Sequence, residues 1–137
     1  MKKIFNLLMF LFFLVSASTC KDKVPPFDRV YRFWVKNNSQ KSIAFLVSYN
    51  YPDTIIPDAY NKIRGVSPGS KTSYDSKEKW EDVFSKLPAD TLSIFIFDGD
   101  TLSKYDWQVV RNNYKILKRY DISLDDLYNN NGIIAYP

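Results

Sequence analysis

Apolar and polar residues alternate along two stretches near the start of the chain. Alternate positions are apolar in residues 30–36 and again in residues 42–49, which is the pattern of half-buried β-strands. The polar residues 37–40 lie between them and have the composition of a turn. Two such runs around a four-residue connection predict a β-hairpin.

A different spacing, of three and four residues, predicts an amphipathic helix over residues 77–87. Its apolar face would consist of Trp80, Val83, Phe84 and Leu87. Asp75 is the predicted N-cap, Glu78 follows three residues later as in a capping box, and Pro88 would end the helix.

Residues 91–97 are apolar at most positions and rich in β-branched and aromatic side chains. This predicts the most buried strand, covered on both faces. The remaining predicted elements are strands at 71–74, 114–122 and 133–136 and helices at 103–113 and 123–128. Together they predict an α+β fold, with an antiparallel β-sheet or β-sandwich of five to six strands and two to three short helices.

The N-terminal residues have the three parts of a secretory signal. Met1-Lys2-Lys3 is cationic, residues 4–15 are almost entirely apolar, and small residues lead to Cys20. The apolar run is shorter than the roughly 20 residues that a membrane span needs. We therefore divide the chain into a lipoprotein signal peptide at 1–19, a lipidated tether at 20–27 and a single globular β-rich domain at 28–137.

Cys20 is the only cysteine, and the chain has no histidine. The chain cannot form an internal disulfide, because there is no second cysteine. A thiol nucleophile would have no histidine as its base, and a zinc site would lack its usual ligands. The residues 17–20 (ASTC) resemble the lipobox of bacterial lipoproteins, in a looser form similar to that of Bacteroidota, because Thr19 stands where glycine or alanine is usual. Lipid attachment at Cys20 is the interpretation we favour, and the alternative is an unmodified cysteine in an ordinary signal.

The charge of the mature chain is small. The full sequence has 19 basic and 15 acidic residues, and removal of residues 1–19 takes away Lys2 and Lys3, so the net charge falls from +4 to +2. This charge is too low and too dispersed to predict nucleic-acid binding. The expected partners are the membrane, through the lipid, and an unknown envelope protein or glycan. We expect the outer membrane as the location, on its periplasmic or its surface face.

No set of residues predicts catalysis or a cofactor. Asp98-Gly99-Asp100 could contribute to a calcium site, but the ligand spacing of a calcium loop is absent, and a strand-to-helix turn with Asp100 as a helix cap explains the acids. Asp125 and Asp126 could form the acid pair of a glycosidase, but a place in the first turn of a helix, where acids interact favourably with the helix dipole, explains them without catalysis. We predict no catalytic residue, no metal and no cofactor.

Aromatic residues are the remaining candidates for ligand contact. We select Trp34, Tyr51, Tyr60 and Tyr105, because exposed rings stack well on sugars and peptides, while core packing remains the alternative for each. Trp80 and Trp107 are expected in the core because they lie on predicted amphipathic helices.

Several segments of the mature chain resemble a group of small Bacteroidota envelope lipoproteins of unassigned function. They are residues 48–53 (SYNYPD), 94–98 (IFIFD), Trp107, 114–121 (YKILKRYD), 124–127 (LDDL) and the terminal Tyr136-Pro137. The resemblance implies an envelope location and a shared fold, and it implies no catalytic or binding residue. The leading hypothesis is a lipid-anchored, non-catalytic binding or scaffolding module. The alternative is an envelope hydrolase that uses Asp and Glu carboxylates, on glycans for example.

Overall fold

The structure, a computed structural model, describes residues 30–137. The strands are β1 (Tyr31–Asn37), β2 (Ile43–Ser48), β3 (Arg64–Val66), β4 (Lys71–Ser76), β5 (Leu92–Asp98), β6 (Lys118–Ile122) and β7 (Ile133–Tyr136). The α-helices are α1 (Trp80–Phe84), α2 (Gly99–Lys104), α3 (Trp107–Asn112) and α4 (Leu124–Asn129). Within this range no helix is long and apolar enough to cross a membrane. The predicted signal peptide 1–19, Cys20 and the tether 20–27 lie outside the described residues.

The strands form two sheets. In the three-stranded sheet the order is β4-β1-β7, with β1 antiparallel to β4 and parallel to β7. In the four-stranded sheet the order is β3-β2-β5-β6, and all pairs are antiparallel. The predicted α+β class is confirmed, with seven strands and four short helices among the described residues in place of the five to six strands and two to three helices expected.

The main core lies between the two sheets and beneath α1 and α4. It includes Phe33 and Val35 from β1, side chains of β2 and β5, and Trp80 from α1. A second cluster on the other face of the four-stranded sheet joins Phe95 and Phe97 to Val110 of α3. The first six residues of β5 are buried, which confirms the prediction of a strand covered on both faces.

The predicted hairpin of the first two strands is wrong, although both strands exist. β1 pairs with β4 and β7, whereas β2 pairs with β3 and β5 in the other sheet. All six residues of β2 are buried, but β1 buries only alternate residues, so the two strands need different surroundings. The connection is held by the buried Asn37 amide, which donates to the backbone oxygens of Lys41 (2.7 Å) and Val66 (3.1 Å).

The helix predicted over 77–87 is shorter than expected, and its predicted cap is wrong. β4 continues to Ser76, and Asp75 lies within it as the partner of the Arg32 guanidinium, with Nε 2.8 Å from Oδ1. Ser76 instead forms a turn, because its hydroxyl accepts from the Glu78 N–H at 3.0 Å. The predicted apolar face is nevertheless found, since Trp80 and Phe84 of α1 are buried.

The C-terminal half contains two further errors and one confirmed helix. The single helix expected over 103–113 is two helices, because the chain is extended at Tyr105 and Asp106 caps α3 by accepting from the Gln108 N–H at 2.8 Å. The strand predicted from residue 114 begins only at Lys118. The helix predicted after Ser123 is present as α4, and it has a full capping box with Asp126.

Candidate functional site

The outer face of the three-stranded sheet is the best candidate for a binding surface. Along β1, Phe33 and Val35 point into the core, so Arg32, Trp34 and Lys36 point the other way. Arg32 and Lys36 are exposed and Trp34 is partly exposed. We call this surface, with the outward residues of β4 and β7, the Trp34 face.

Trp34 lies at the centre of this face. Its register partners are Ser73 on β4 and Ile133 on β7. Two flexible cationic side chains cover its ring: the Lys71 Nζ is 4.6 Å from the ring centroid, and the Arg32 Cζ is 5.6 Å from it. The ring is therefore covered by solvent-exposed cations in place of core residues, and such cation–π contacts contribute only about 0.5–1 kcal/mol at exposed sites.

The charges on the Trp34 face differ between its two ends. At the start of β1, Arg32 is paired with Asp75, and this hydrogen bond lowers the pKa of the Asp75 carboxyl. At the other end, Lys36 is the register partner of Lys71 on β4 and of Ala135 on β7. Neither lysine has a carboxylate within 4.0 Å among the described residues. Two like charges thus lie opposite each other, which destabilises an antiparallel pair.

The other three candidate rings lie away from this face, on the side of the four-stranded sheet that carries α2 and α3: Tyr51, Tyr60 and Tyr105. The Tyr60 ring packs against Trp107, with centroids 5.8 Å apart, and Trp107 itself packs against the second core cluster. The Lys115 Nζ lies 4.7 Å from the centroid of Tyr105. No ring–ring contact joins any two of the four candidates in the part of the chain described. Of the predicted set, only Trp34 belongs to the proposed surface.

The acidic candidates have structural roles at helix termini. Asp98, and not Asp100 as predicted, caps α2: its carboxylate accepts from the Asp100 N–H at 3.4 Å and from the Thr101 hydroxyl at 3.2 Å. Asp126 closes the capping box of α4, and hydrogen bonds from the backbone N–H and the hydroxyl of Ser123 lower its pKa. These contacts give Asp98 and Asp126 a structural role, so neither residue requires a catalytic explanation.

A hollow of about 320 Å³ between α1 and α4 is the place where carboxylates come closest to an enzyme-like arrangement. It is lined in part by Glu81, Asp90 and Asp125, and it is open to solvent. A hydrogen bond from the Tyr128 hydroxyl lowers the pKa of Glu81, and the same contact raises the pKa of Tyr128 to about 12. A general acid needs its pKa raised, so this shift has the wrong direction for Glu81 to donate a proton.

The described residues are expected to fold without a metal. Residues 30–137 contain no group of three or more His, Cys, Asp or Glu side chains that could hold an ion. We predict that thermal unfolding in excess chelator and in added calcium will coincide, because a ligand that binds only the folded state would raise Tm. A calcium-dependent rise of several degrees would contradict this and would reinstate Asp98 and Asp100 as ligands, which an Asp100→Asn variant would test directly.

The lysines of the Trp34 face were not identified from the sequence. Lys36 and Lys71 are separated by 34 intervening positions and a loop-rich segment, and only the register of β1 with β4 places them opposite each other. The one sequence signal that could have found Lys36 is the alternation of residues 30–36, in which Lys36 falls on the same side as Arg32 and Trp34.

No protein-family model matches this sequence, and no curated protein or solved structure is significantly similar to it. The function is therefore inferred from the chemistry and geometry of the chain itself.

Proposed function

We propose that this chain is a lipid-anchored envelope protein of the outer membrane, related to small Bacteroidota lipoproteins, whose domain is a non-catalytic binding module. The observation that carries the binding role is the Trp34 face: a solvent-facing sheet surface with a partly exposed aromatic ring at its centre and cations around it. An aromatic ring on such a surface can stack on a ligand, whereas an active site needs a cleft with converging, desolvated groups.

The anchoring role is supported by the arrangement of the chain before the domain. Ten residues, 21–30, separate Cys20 from the first residue of β1. Fully extended, they would span at most about 33–36 Å. A lipid on Cys20 would therefore keep the domain close to a bilayer while leaving room for a partner at its far end.

The alternative of an envelope hydrolase receives no support from the three carboxyl groups whose pKa values are shifted. The carboxyl groups of Asp75, Glu81 and Asp126 have pKa values below the ordinary range, each because of a hydrogen bond that favours its ionised form. Such groups neither donate a proton at neutral pH nor act as strong bases.

The binding role can be tested by capture from detergent-solubilised envelope with the full-length chain as bait. We expect one envelope component to be recovered with the natural chain and lost with a Trp34→Ser variant. Tyr60→Ser is the matched control, because Tyr60 is also an exposed aromatic residue but lies on the opposite side of the domain. Equal recovery with Trp34→Ser would show that the Trp34 face is not the binding surface.

A further inference from the structure

We propose that the Trp34 face binds an anionic polysaccharide, with a sugar ring stacked on Trp34 and the carboxylate or phosphate groups of the polymer on Lys36 and Lys71. This inference rests on the proposed function and names the ligand class of the same surface.

The tryptophan supplies the first part of the recognition. The apolar C–H face of a sugar ring stacks on an aromatic ring, and Trp34 is the one large aromatic residue among the outward positions of β1. Its ring is covered by the Lys71 Nζ at 4.6 Å and the Arg32 Cζ at 5.6 Å. Arg32 stays paired with Asp75, whereas Lys71 is the end of a flexible side chain with no carboxylate within 4.0 Å among the described residues, so a ligand can displace Lys71 and use its charge at the same time.

The lysine pair supplies the second part. Lys36 and Lys71 are directly opposite in the β1–β4 register, and neither is neutralised by a carboxylate within 4.0 Å among residues 30–137. Like charges in this position oppose the pairing of the strands. A local arrangement that works against stability is expected where function requires it. An anionic group bound between the two ammonium groups would remove the repulsion.

The composition of the face favours a polysaccharide over other anionic macromolecules. A protein partner would need an apolar centre, and lysine is depleted in protein–protein interfaces, whereas this face has lysines at one end and only Trp34, Ile133 and Ala135 as apolar residues. Single-stranded nucleic acid is bound by several successive stacking rings, and this face has one.

The position of the lysine pair leaves it accessible. The chain enters β1 at Tyr31, and Lys36 follows five residues later. At a rise of about 3.3 Å per residue the pair lies about 16 Å along the strand from that point. The lysines are thus at the end of β1 opposite to the point where the chain enters the strand, and both are exposed.

The test is a titration of the full-length protein in detergent with hexameric oligogalacturonate, and with maltohexaose as the uncharged counterpart. We expect oligogalacturonate to bind and maltohexaose to bind at least about tenfold more weakly, with an affinity that falls as salt is added. Lys36→Gln/Lys71→Gln and Trp34→Ser should each weaken oligogalacturonate binding by about tenfold or more. Lys77→Gln/Lys79→Gln is the matched control, because both lysines are exposed and lie next to Ser76, the register partner of Tyr31 at the tether end.

Unfolding measurements keep a loss of binding separate from a loss of structure. Because the Gln pair removes both the repulsion between Lys36 and Lys71 and the contact of Lys71 with the Trp34 ring, two effects of opposite sign and of about 1 kcal/mol or less, its Tm should stay within a few degrees of that of the natural chain. A fall in Tm by about ten degrees or more would mean that the two lysines stabilise the fold and would overturn their interpretation as a ligand site.

Three further results would overturn the proposal: no binding of oligogalacturonate, an equal loss of oligogalacturonate affinity in the Lys77→Gln/Lys79→Gln control, or equally tight binding of a single-stranded oligonucleotide. The intact mass of the same preparation reports the lipid on Cys20 independently. If the protein is lipidated but does not bind oligogalacturonate, the proposal of an anionic polysaccharide ligand fails, whereas the anchoring proposal is supported.

Discussion

Replacement of Cys20 by alanine is expected to abolish lipid labelling of the chain and to leave an uncleaved precursor in the membrane. The lipoprotein peptidase acts only on the modified cysteine, so the precursor would stay attached through the apolar run at residues 4–15. In the natural chain the acyl groups would supply the membrane affinity, since each buried methylene contributes about 0.8 kcal/mol and stable anchoring needs more than one acyl chain.

Intact-mass analysis of membrane-extracted protein tests whether Cys20 is lipidated. We expect a mature chain that begins at Cys20 and carries diacylglycerol and an amide-linked acyl group. Ser18→Ala is the matched control, because it changes a small residue of the same segment and keeps the thiol, so lipidation should persist. A mature N-terminus elsewhere, or a mass without acyl groups, would support the alternative of an ordinary signal and contradict the anchor.

A version of the chain that begins at Lys21, behind an ordinary signal, separates anchoring from folding. Among the described residues, both core clusters are built from residues after Val30. This version should therefore be folded and soluble, with the same urea midpoint as the lipidated protein. A large loss of stability would mean that the lipid or the bilayer contributes to the fold.

Trp80→Ala is expected to lower the free energy of unfolding by about 3–5 kcal/mol, because it removes a large buried ring and leaves a cavity. Trp80 is 4% exposed, and its ring centroid lies 5.3 Å from that of Phe33 and 6.4 Å from those of Tyr74 and Phe84. The loss is of the same size as the whole stability of many small domains, so the variant would be largely unfolded at moderate urea concentrations. Equilibrium urea unfolding measures this loss of stability.

Two further substitutions show that the effect arises from burial and not from tryptophan as such. Trp34→Ala should cost no more than about 1 kcal/mol, because the Trp34 ring is covered by exposed cations and not by the core. Trp80→Phe should cost much less than Trp80→Ala, because a ring is kept and the Trp80 indole N–H, which has no hydrogen-bond partner among the described residues, is removed. Equal losses for Trp34→Ala and Trp80→Ala would show that α1 does not dock as described.

The features that could be predicted are those set by neighbours along the chain. The helix at 123–128 was predicted, and its start depends on residues three positions apart, because Ser123 and Asp126 form a capping box. The burial of β5 follows from its nearly continuous apolar composition, and Trp80 and Phe84 are buried because their spacing places them on one side of a helical turn. Alternation placed Trp34 on the same side of its strand as Arg32, and the structure leaves Trp34 partly exposed on that side.

The features that could not be predicted depend on which distant segments meet. A strand has two edges, and alternation within it says nothing about which partner occupies each. β1 was therefore predicted to form a hairpin with β2, but it lies in the other sheet, between β4 and the C-terminal β7. For the same reason Asp75 was assigned to a helix cap, while the structure pairs it with Arg32 across two strands.

By itself, the sequence determined the α+β class, the places of most strands and helices, the faces that they bury and the signal-like N-terminus that ends at Cys20. These depend on periodicity and on contacts within a few residues, which local physical chemistry specifies. The division into two sheets, the parallel pairing of β1 with β7 and the position of Lys36 opposite Lys71 beside Trp34 were decided only by the tertiary structure. Pairing between segments tens of residues apart is selected by the total burial of both sheets, because β2 must be covered on two faces and β1 on only one.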